Sequence, residues 1–307
     1  MSYTKPSRLK ERLHGVNVIM VTPFDKNGEV DIDQVKALTR NLIENGIVDG
    51  KGVLVANGSF GECFSMSIEE RKRVVSAVVD EADTRVPVVV GCNETNTGAV
   101  VDLAKYAQSA GADGVMIMPP YYLPVSNEEI LNFYKKVSQS IDIGIVLYNN
   151  EDVSVDISLE VLKELAELEN VVGLKDCTHD IIKFKLTACE LKDNLVPLNG
   201  VGELIEPLGT LAGTKGFFTL VGNFIPELVV NLWRACEDGE YEKAELISLR
   251  FIPFIEFQRS VKKPIQACKK IMRDTGLPGG YVRSPLTPLT EQEANMVERI
   301  MHEMDAG

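Results

Sequence analysis

The sequence is short of what several protein classes require. No apolar run approaches the roughly 20 residues of a membrane-spanning helix, and the opening "MSYTKPSRLKERLHG" lacks the apolar segment of a secretory signal. Basic residues are outnumbered: 32 Lys and Arg against 45 Asp and Glu leave a net charge of −13, which argues against a nucleic-acid or anionic-membrane surface. Six cysteines (Cys63, Cys92, Cys177, Cys189, Cys236, Cys268) are scattered without a CxxC pair and read as reduced thiols. The three histidines, His14, His179 and His302, form no metal-ligand spacing with them, so neither a metal nor a cofactor is expected. A Gly-rich phosphate turn is also missing after the first strand-like segment, where the chain runs "MVTPFDKNGEV". A cytoplasmic, soluble protein with no nucleic-acid or membrane partner is the expectation.

What is present is a regular alternation. Short β-branched runs occupy 16–24, 51–58, 86–93, 114–120, 143–150, 171–176, 195–200 and 215–223. They are nearly continuous in apolar character, as parallel strands covered by helices are. Amphipathic segments at 31–46, 67–83, 96–111, 126–141 and 158–170 lie between them; the first opens on an Asp cap and the second on a Ser-x-x-Glu capping box. Eight such strands at intervals of about 25 to 35 residues predict an α/β fold, a (β/α)8 TIM barrel. After residue 223 only helical patterns remain, at 226–257, 261–276 and 291–306, with a Pro/Gly-rich break at 277–289. The spacing therefore predicts a barrel over 1–240 and a C-terminal helical extension over 241–307.

In such a barrel chemistry sits at the C-terminal strand ends. Those positions collect Thr22, Ser59, Phe60, Glu62, Asn93, Tyr121, Tyr122, Tyr148, Lys175 and Gly200. Lys175 is the conspicuous member, because lysine is a poor strand residue and is rarely buried without a reason. It ends the run "VVGLKD", so either its ammonium reaches water or an amine is held in a partly dry place. One amine, several hydroxyls and few carboxylates fit neither a metal site nor a Ser-His-Asp triad. They fit imine chemistry, in which an amine attacks a ketone and a phenol shuttles protons. Glu62 reads as a pin for its loop, Asp176 as an orienter, and Cys63 and Cys177 as structural thiols.

The segments "GVNVIMVTPF", "NGSFGEC", "GLKD" and "GGYVRSPLTPL" resemble the dihydrodipicolinate synthase / N-acetylneuraminate lyase family of pyruvate-dependent class I aldolases, in order and over essentially the whole chain. The resemblance implies that Lys175 is the Schiff-base lysine and Tyr148 the proton-relay tyrosine. It makes Ser59 the linking hydroxyl and Tyr122 a second relay tyrosine lent by a neighbouring subunit. The backbone of Ser59, Phe60 and Gly61 would hold a 2-keto acid such as pyruvate by its carboxylate, and Thr22 and Phe218 complete the substrate-binding set. A homotetramer, a dimer of dimers, is implied as well. The chain departs from the family pattern in three respects, one being that the usual proline after Tyr148 is missing from "NNEDVS". Phe60 replaces a hydroxyl, and "NNEDVS" after Tyr148 has Val153 about where the synthases carry an arginine for the second substrate's carboxylate. A second partner less acidic than aspartate semialdehyde is therefore expected. A hydratase-aldolase or dehydratase of a 2-keto acid is the alternative enzyme, and a keto-acid or sugar-acid binding sensor the alternative outside enzymology.

Overall fold

The computed structural model describes residues 6–306. Eight parallel strands close into a barrel in chain order: β1 (Gly15–Ile19), β2 (Gly52–Ala56), β3 (Val88–Gly91), β4 (Gly114–Ile117), β5 (Gly144–Asn149), β6 (Val171–Asp176), β7 (Val196–Asn199) and β8 (Gly216–Thr219). The helix α1 (Pro6–Arg12) precedes β1. Helices α2 (Ile32–Glu44), α3 (Ile68–Ala82), α4 (Thr97–Ala110), α5 (Asn127–Ser138), α6 (Leu159–Ala166), α7 (Ile181–Leu191), α8 (Glu206–Ala212) and α9 (Pro226–Glu237) follow strands one to eight. The chain then continues through α10 (Tyr241–Leu249), α11 (Ile252–Val261), α12 (Pro264–Asp274) and α13 (Glu291–Ala306). No helix among the described residues is long and apolar enough to cross a membrane.

The strands are apolar on both faces because each face meets a different core. Ile19, Val53, Val55, Val89, Met116 and Val146 point inward and fill the barrel. Val16, Val18, Leu54, Val90, Val115 and Leu147 point outward against the helices. Local signals fix the helix starts as expected. Asp31 accepts from the Gln34 amide at 3.0 Å, and Ser67 and Glu70 form the reciprocal capping box of α3. Helices α7 and α8, between strands six and eight, carry weaker signals. In α7 the apolar Ile181 and Ile182 are exposed, which blurs its periodicity, and α8 is seven residues containing Pro and Gly. The single helical stretch read at 226–257 divides into three, interrupted at Gly239 (φ 75°) and before Pro253.

The floor of the barrel is closed by the chain's own beginning. Leu9 and Leu13 are buried with the interior side chains. A Cβ on Gly114 or Gly144 would come within 2.3 or 2.7 Å of Leu9 Cδ2, so β4 and β5 carry glycine where the plug enters.

Two carboxyls lie buried beside β7. Glu206 Oε2 accepts from Asn199 Nδ2 at 3.0 Å and Oε1 from Thr210 Oγ1 at 3.2 Å, while Glu203 Oε1 has no partner among the described residues. Burial pushes Glu203 up to about 7 and Glu206 up to about 8, from 4.5. Between 4.5 and those values the folded protein keeps protons that the unfolded chain has released. Stability from these groups is therefore complete below pH 4.5 and is lost as pH rises through 7 to 8. Urea unfolding is expected to show a loss of several kcal/mol between pH 5.5 and 8.5, about 1.4 kcal/mol per pH unit for each group up to its folded-state value. Glu206→Gln should flatten that slope; a variant profile as steep as the wild type would contradict the assignment.

Candidate active site

Lys175 and Tyr148 are register partners on adjacent strands, so the two side chains stand side by side and not across the barrel. Both point inward. Lys175 is 3% exposed, and its Nζ lies 4.0 Å from the centroid of the Tyr148 ring and 4.8 Å from that of Phe218. The amine is thus held between two aromatic faces, which attract a cation without neutralising it. Phe218, next to last in β8, completes this wall.

The Ser59–Gly61 segment forms a 3-10 turn directly after β2. The Gly61 amide bonds back to Gly58 O at 3.0 Å and the Glu62 amide to Ser59 O at 3.1 Å. The amides of Ser59 and Phe60 are the ones left without an acceptor among the described residues, as the first donors of a helical turn are. Of the three expected backbone donors, Gly61 is therefore engaged in the turn itself. Its lack of a side chain matters in another way: a Cβ there would sit 2.8 Å from Met20 O. Thr22 Oγ1 donates to Gly61 O at 2.7 Å, so this expected substrate contact braces the turn instead. Phe60 is half-buried and packs against the interior cluster that includes Tyr148 and Phe218.

Glu62 follows in the left-handed region (φ 55°) and is wholly buried. It pairs with Lys269 of α12 at 2.5 Å and accepts from the Arg283 amide at 3.1 Å. The loop is pinned, as the sequence led us to expect, and the pin reaches the C-terminal extension through Lys269 and the Arg283 amide. Lys269 escaped the sequence reading although it had a signal. It lies on the apolar face of α12 with Ile265, Cys268 and Met272, where a lysine needs a buried partner.

Around this centre, outward-facing residues hold the loops. Asn149 Nδ2 donates to Asp156 Oδ1 at 3.1 Å and Asp176 Oδ1 at 3.0 Å, and its Oδ1 accepts from the Ile157 amide at 2.9 Å. Burial raises the Asp176 carboxyl, partly offset by its bond from Asn149. Cys177 lies inside the barrel with its thiol pushed up to about 11 by burial, and Cys63 is raised for the same reason. A thiol raised in this way is mostly protonated at neutral pH and a poor nucleophile. Tyr122 is 82% exposed on the loop after β4 and stands apart from the Lys175 cluster within one chain. His179, four residues beyond Lys175, lies 3.3 Å from Asp152 Oδ2, and its amide donates to Glu151 Oε1 at 2.8 Å. Among the described residues no cluster of His, Cys, Asp and Glu is arranged to hold a metal ion.

The chain matches the model of the dihydrodipicolinate synthetase family over residues 12–304. It is 34% identical to a 4-hydroxy-tetrahydrodipicolinate synthase of Hyphomonas neptunium, over 94% of this chain and 97% of that one. The counterpart in Nitrobacter hamburgensis is 33% identical over 95% and 97%. Among solved structures, dihydrodipicolinate synthase from Oceanobacillus iheyensis superposes with a TM-score of 0.90 at 25% identity, covering 98% of this chain and all of that one. The Acinetobacter baumannii enzyme, solved with pyruvate, gives 0.88 at 26% identity, covering 95% and 99%. A monomeric dihydrodipicolinate synthase variant gives 0.89 at 27%, covering 97% and 98%. These relatives do not favour the dehydratase or sensor readings. The chain belongs to the dihydrodipicolinate synthetase family and is, with it, a pyruvate-dependent, Schiff-base-forming lyase of the aldolase type.

Proposed function

We propose that Lys175 carries the imine, that Tyr148 moves the protons, and that the Ser59 and Phe60 amides receive the keto-acid carboxylate. The observation that carries this reading is the dry amine of Lys175 between the Tyr148 and Phe218 rings. Attack of the amine on the C2 ketone forms a C–N bond, and the carbonyl oxygen takes up protons and leaves as water. Loss of a C3 proton then gives an enamine that adds to an aldehyde, restoring the imine for hydrolysis. The Ser59 hydroxyl follows β2 into the same mouth and is suited to pass protons onward from the phenol.

The second partner in this proposal is an aldehyde without a carboxylate. Val153 offers no fork for one. The basic side chains near the loop after β5 are already matched: Lys183 bonds Asp156 and Ile157 O, and His179 lies against Glu151 and Asp152. Carboxylates at the mouth repel an anion by about 1 kcal/mol per pair even in water-like surroundings, and losing a charge-assisted contact adds roughly 1.5–3 kcal/mol. Phe60 favours an apolar group. With pyruvate present, neutral aldehydes are expected to turn over about a hundredfold more efficiently than aspartate semialdehyde, read by mass spectrometry of products. A clear win for the semialdehyde would mean that another cation reaches the mouth.

We also propose a homotetramer working in the cytoplasm. Two separate apolar faces support the assembly: Phe64, Tyr122 and Leu123 beside the mouth, and Ile182, Leu208 and Leu211 on α7 and α8. On the first, a neighbour's Tyr122 would enter the proton relay. A monomer by light scattering at micromolar concentration would count against both assembly and loan. The six free cysteines, five of them buried, support a reducing compartment.

A further inference from the structure

We infer that Asn150 is a positioning residue for the proton-transferring phenol of Tyr148; the inference rests on the role proposed above for Tyr148. Strand period puts residues 148 and 150 on the same inward side while Asn149 faces out to its loop partners. Asn150 Nδ2 lies 3.0 Å from Tyr148 Oη. Which end of the amide faces the phenol is fixed by a second contact: the Asp152 backbone N–H, which can only donate, lies 3.0 Å from Asn150 Oδ1. The Asn150 carbonyl is thereby held outward and its N–H₂ inward. The backbone carbonyl of Asn150 also accepts from the Ser154 amide at 3.0 Å, and Glu151 and Asp152 tie the same loop to His179 beyond β6. The donor is thus set on a braced turn spanning the ends of the two strands that carry Tyr148 and Lys175.

A phenol has one proton to give and two lone pairs to accept with. Asn150 occupies one lone pair, so the O–H is turned away from it. When the phenol gives its proton to the departing carbonyl oxygen, the same N–H bonds a phenolate and becomes charge-assisted. That bond is stronger in the step than before it, which is the condition for lowering a barrel-centre proton-transfer barrier. The sequence carried this residue in plain view, in the second Asn of "NNEDVS".

The test separates the donor from the turn. Asn150→Asp keeps an acceptor for the Asp152 amide and removes the donor to the phenol, whereas Asn150→Ala removes both. Each is compared with wild type by borohydride trapping of pyruvate and by exchange of pyruvate C3 protons in D₂O, followed by NMR. Asn150→Asp is expected to trap pyruvate as completely as wild type at saturation, with KM within about twofold, while C3 exchange and kcat fall about ten- to a hundredfold. Exchange at the wild-type rate in Asn150→Asp overturns the inference, because a turn-building residue would be satisfied by the aspartate. Loss of trapping in that variant also overturns it, since Asn150 would then be building the site and not aiming the phenol. Failure of the wild type itself to trap pyruvate refutes the imine reading, and this inference with it.

Discussion

Lys175→Ala is expected to lose borohydride-dependent addition of pyruvate and more than about 10⁴-fold in turnover, while remaining folded. The size follows from what is removed. Without the amine no covalent electron sink forms, and nucleophile deletions in covalent enzymes cost on this scale. The fold should survive because Lys175 faces the rings of Tyr148 and Phe218 with no carboxylate partner among the described residues. Removing it therefore leaves no buried charge uncompensated. In the wild type, mass spectrometry should find the added mass on the peptide holding Lys175. Label that persists in Lys175→Ala would move the imine to another lysine. Lys269, the other buried lysine among the described residues, already donates to Glu62, Thr22 O and Tyr281 O and so has no lone pair to offer while charged. Tyr148→Phe is the contrasting variant: trapping retained, turnover down by about a hundredfold or more.

The largest loss of stability is expected from Lys269→Met. All three ammonium donors of Lys269 are used, to Glu62 Oε1 at 2.5 Å, Thr22 O at 2.6 Å and Tyr281 O at 2.8 Å. The ammonium also sits 4.6 Å from the centroid of the Phe24 ring. Burial pulls its pKa down to about 8, against the attraction of Glu62, so the charge is held at a cost and is retained because its partner needs it. Methionine keeps the volume but leaves a buried carboxylate, the buried Thr22 carbonyl and the part-buried Tyr281 carbonyl short of a donor. Breaking a buried pair from one side costs about 3–5 kcal/mol, whereas replacing both members by apolar groups is often neutral. Urea unfolding should show that loss for Lys269→Met and a substantial recovery for Glu62→Leu combined with Lys269→Met. Activity should follow differently. Glu62 anchors the turn bearing the Ser59 and Phe60 amides, so KM for pyruvate should rise in the single variant and stay high in the double. A single variant within 1 kcal/mol of wild type would mean that the pair adds little beyond packing.

The strands were legible because a barrel strand is buried on both faces, and unbroken runs such as "VPVVVG" have few other uses. Lys175 and Tyr148 were legible for a related reason: a polar tip at the end of such a run has to be explained. Their side-by-side register was not, since nothing local says which strand neighbours which until the barrel closes. The same limit hid Lys269, which is 207 positions from Glu62, and the bracing role of Thr22, whose hydroxyl is set by the approach of Gly61. Helices α7 and α8 were hidden differently. Their apolar residues Ile181, Ile182, Leu208 and Leu211 remain exposed in the single chain, so the pattern that marks a core-facing helix is overwritten.

The plug beneath the barrel has a consequence for synthesis. Leu9 and Leu13 have their seats beside Gly114, Gly144 and Gly173, on strands made more than about a hundred residues later. At about 5–20 residues per second the first helix waits many seconds for its socket, with its apolar side unmatched by native contacts. Closure of the cylinder during translation therefore waits for β4 to β6, and α1 lacks its native cover until they are made.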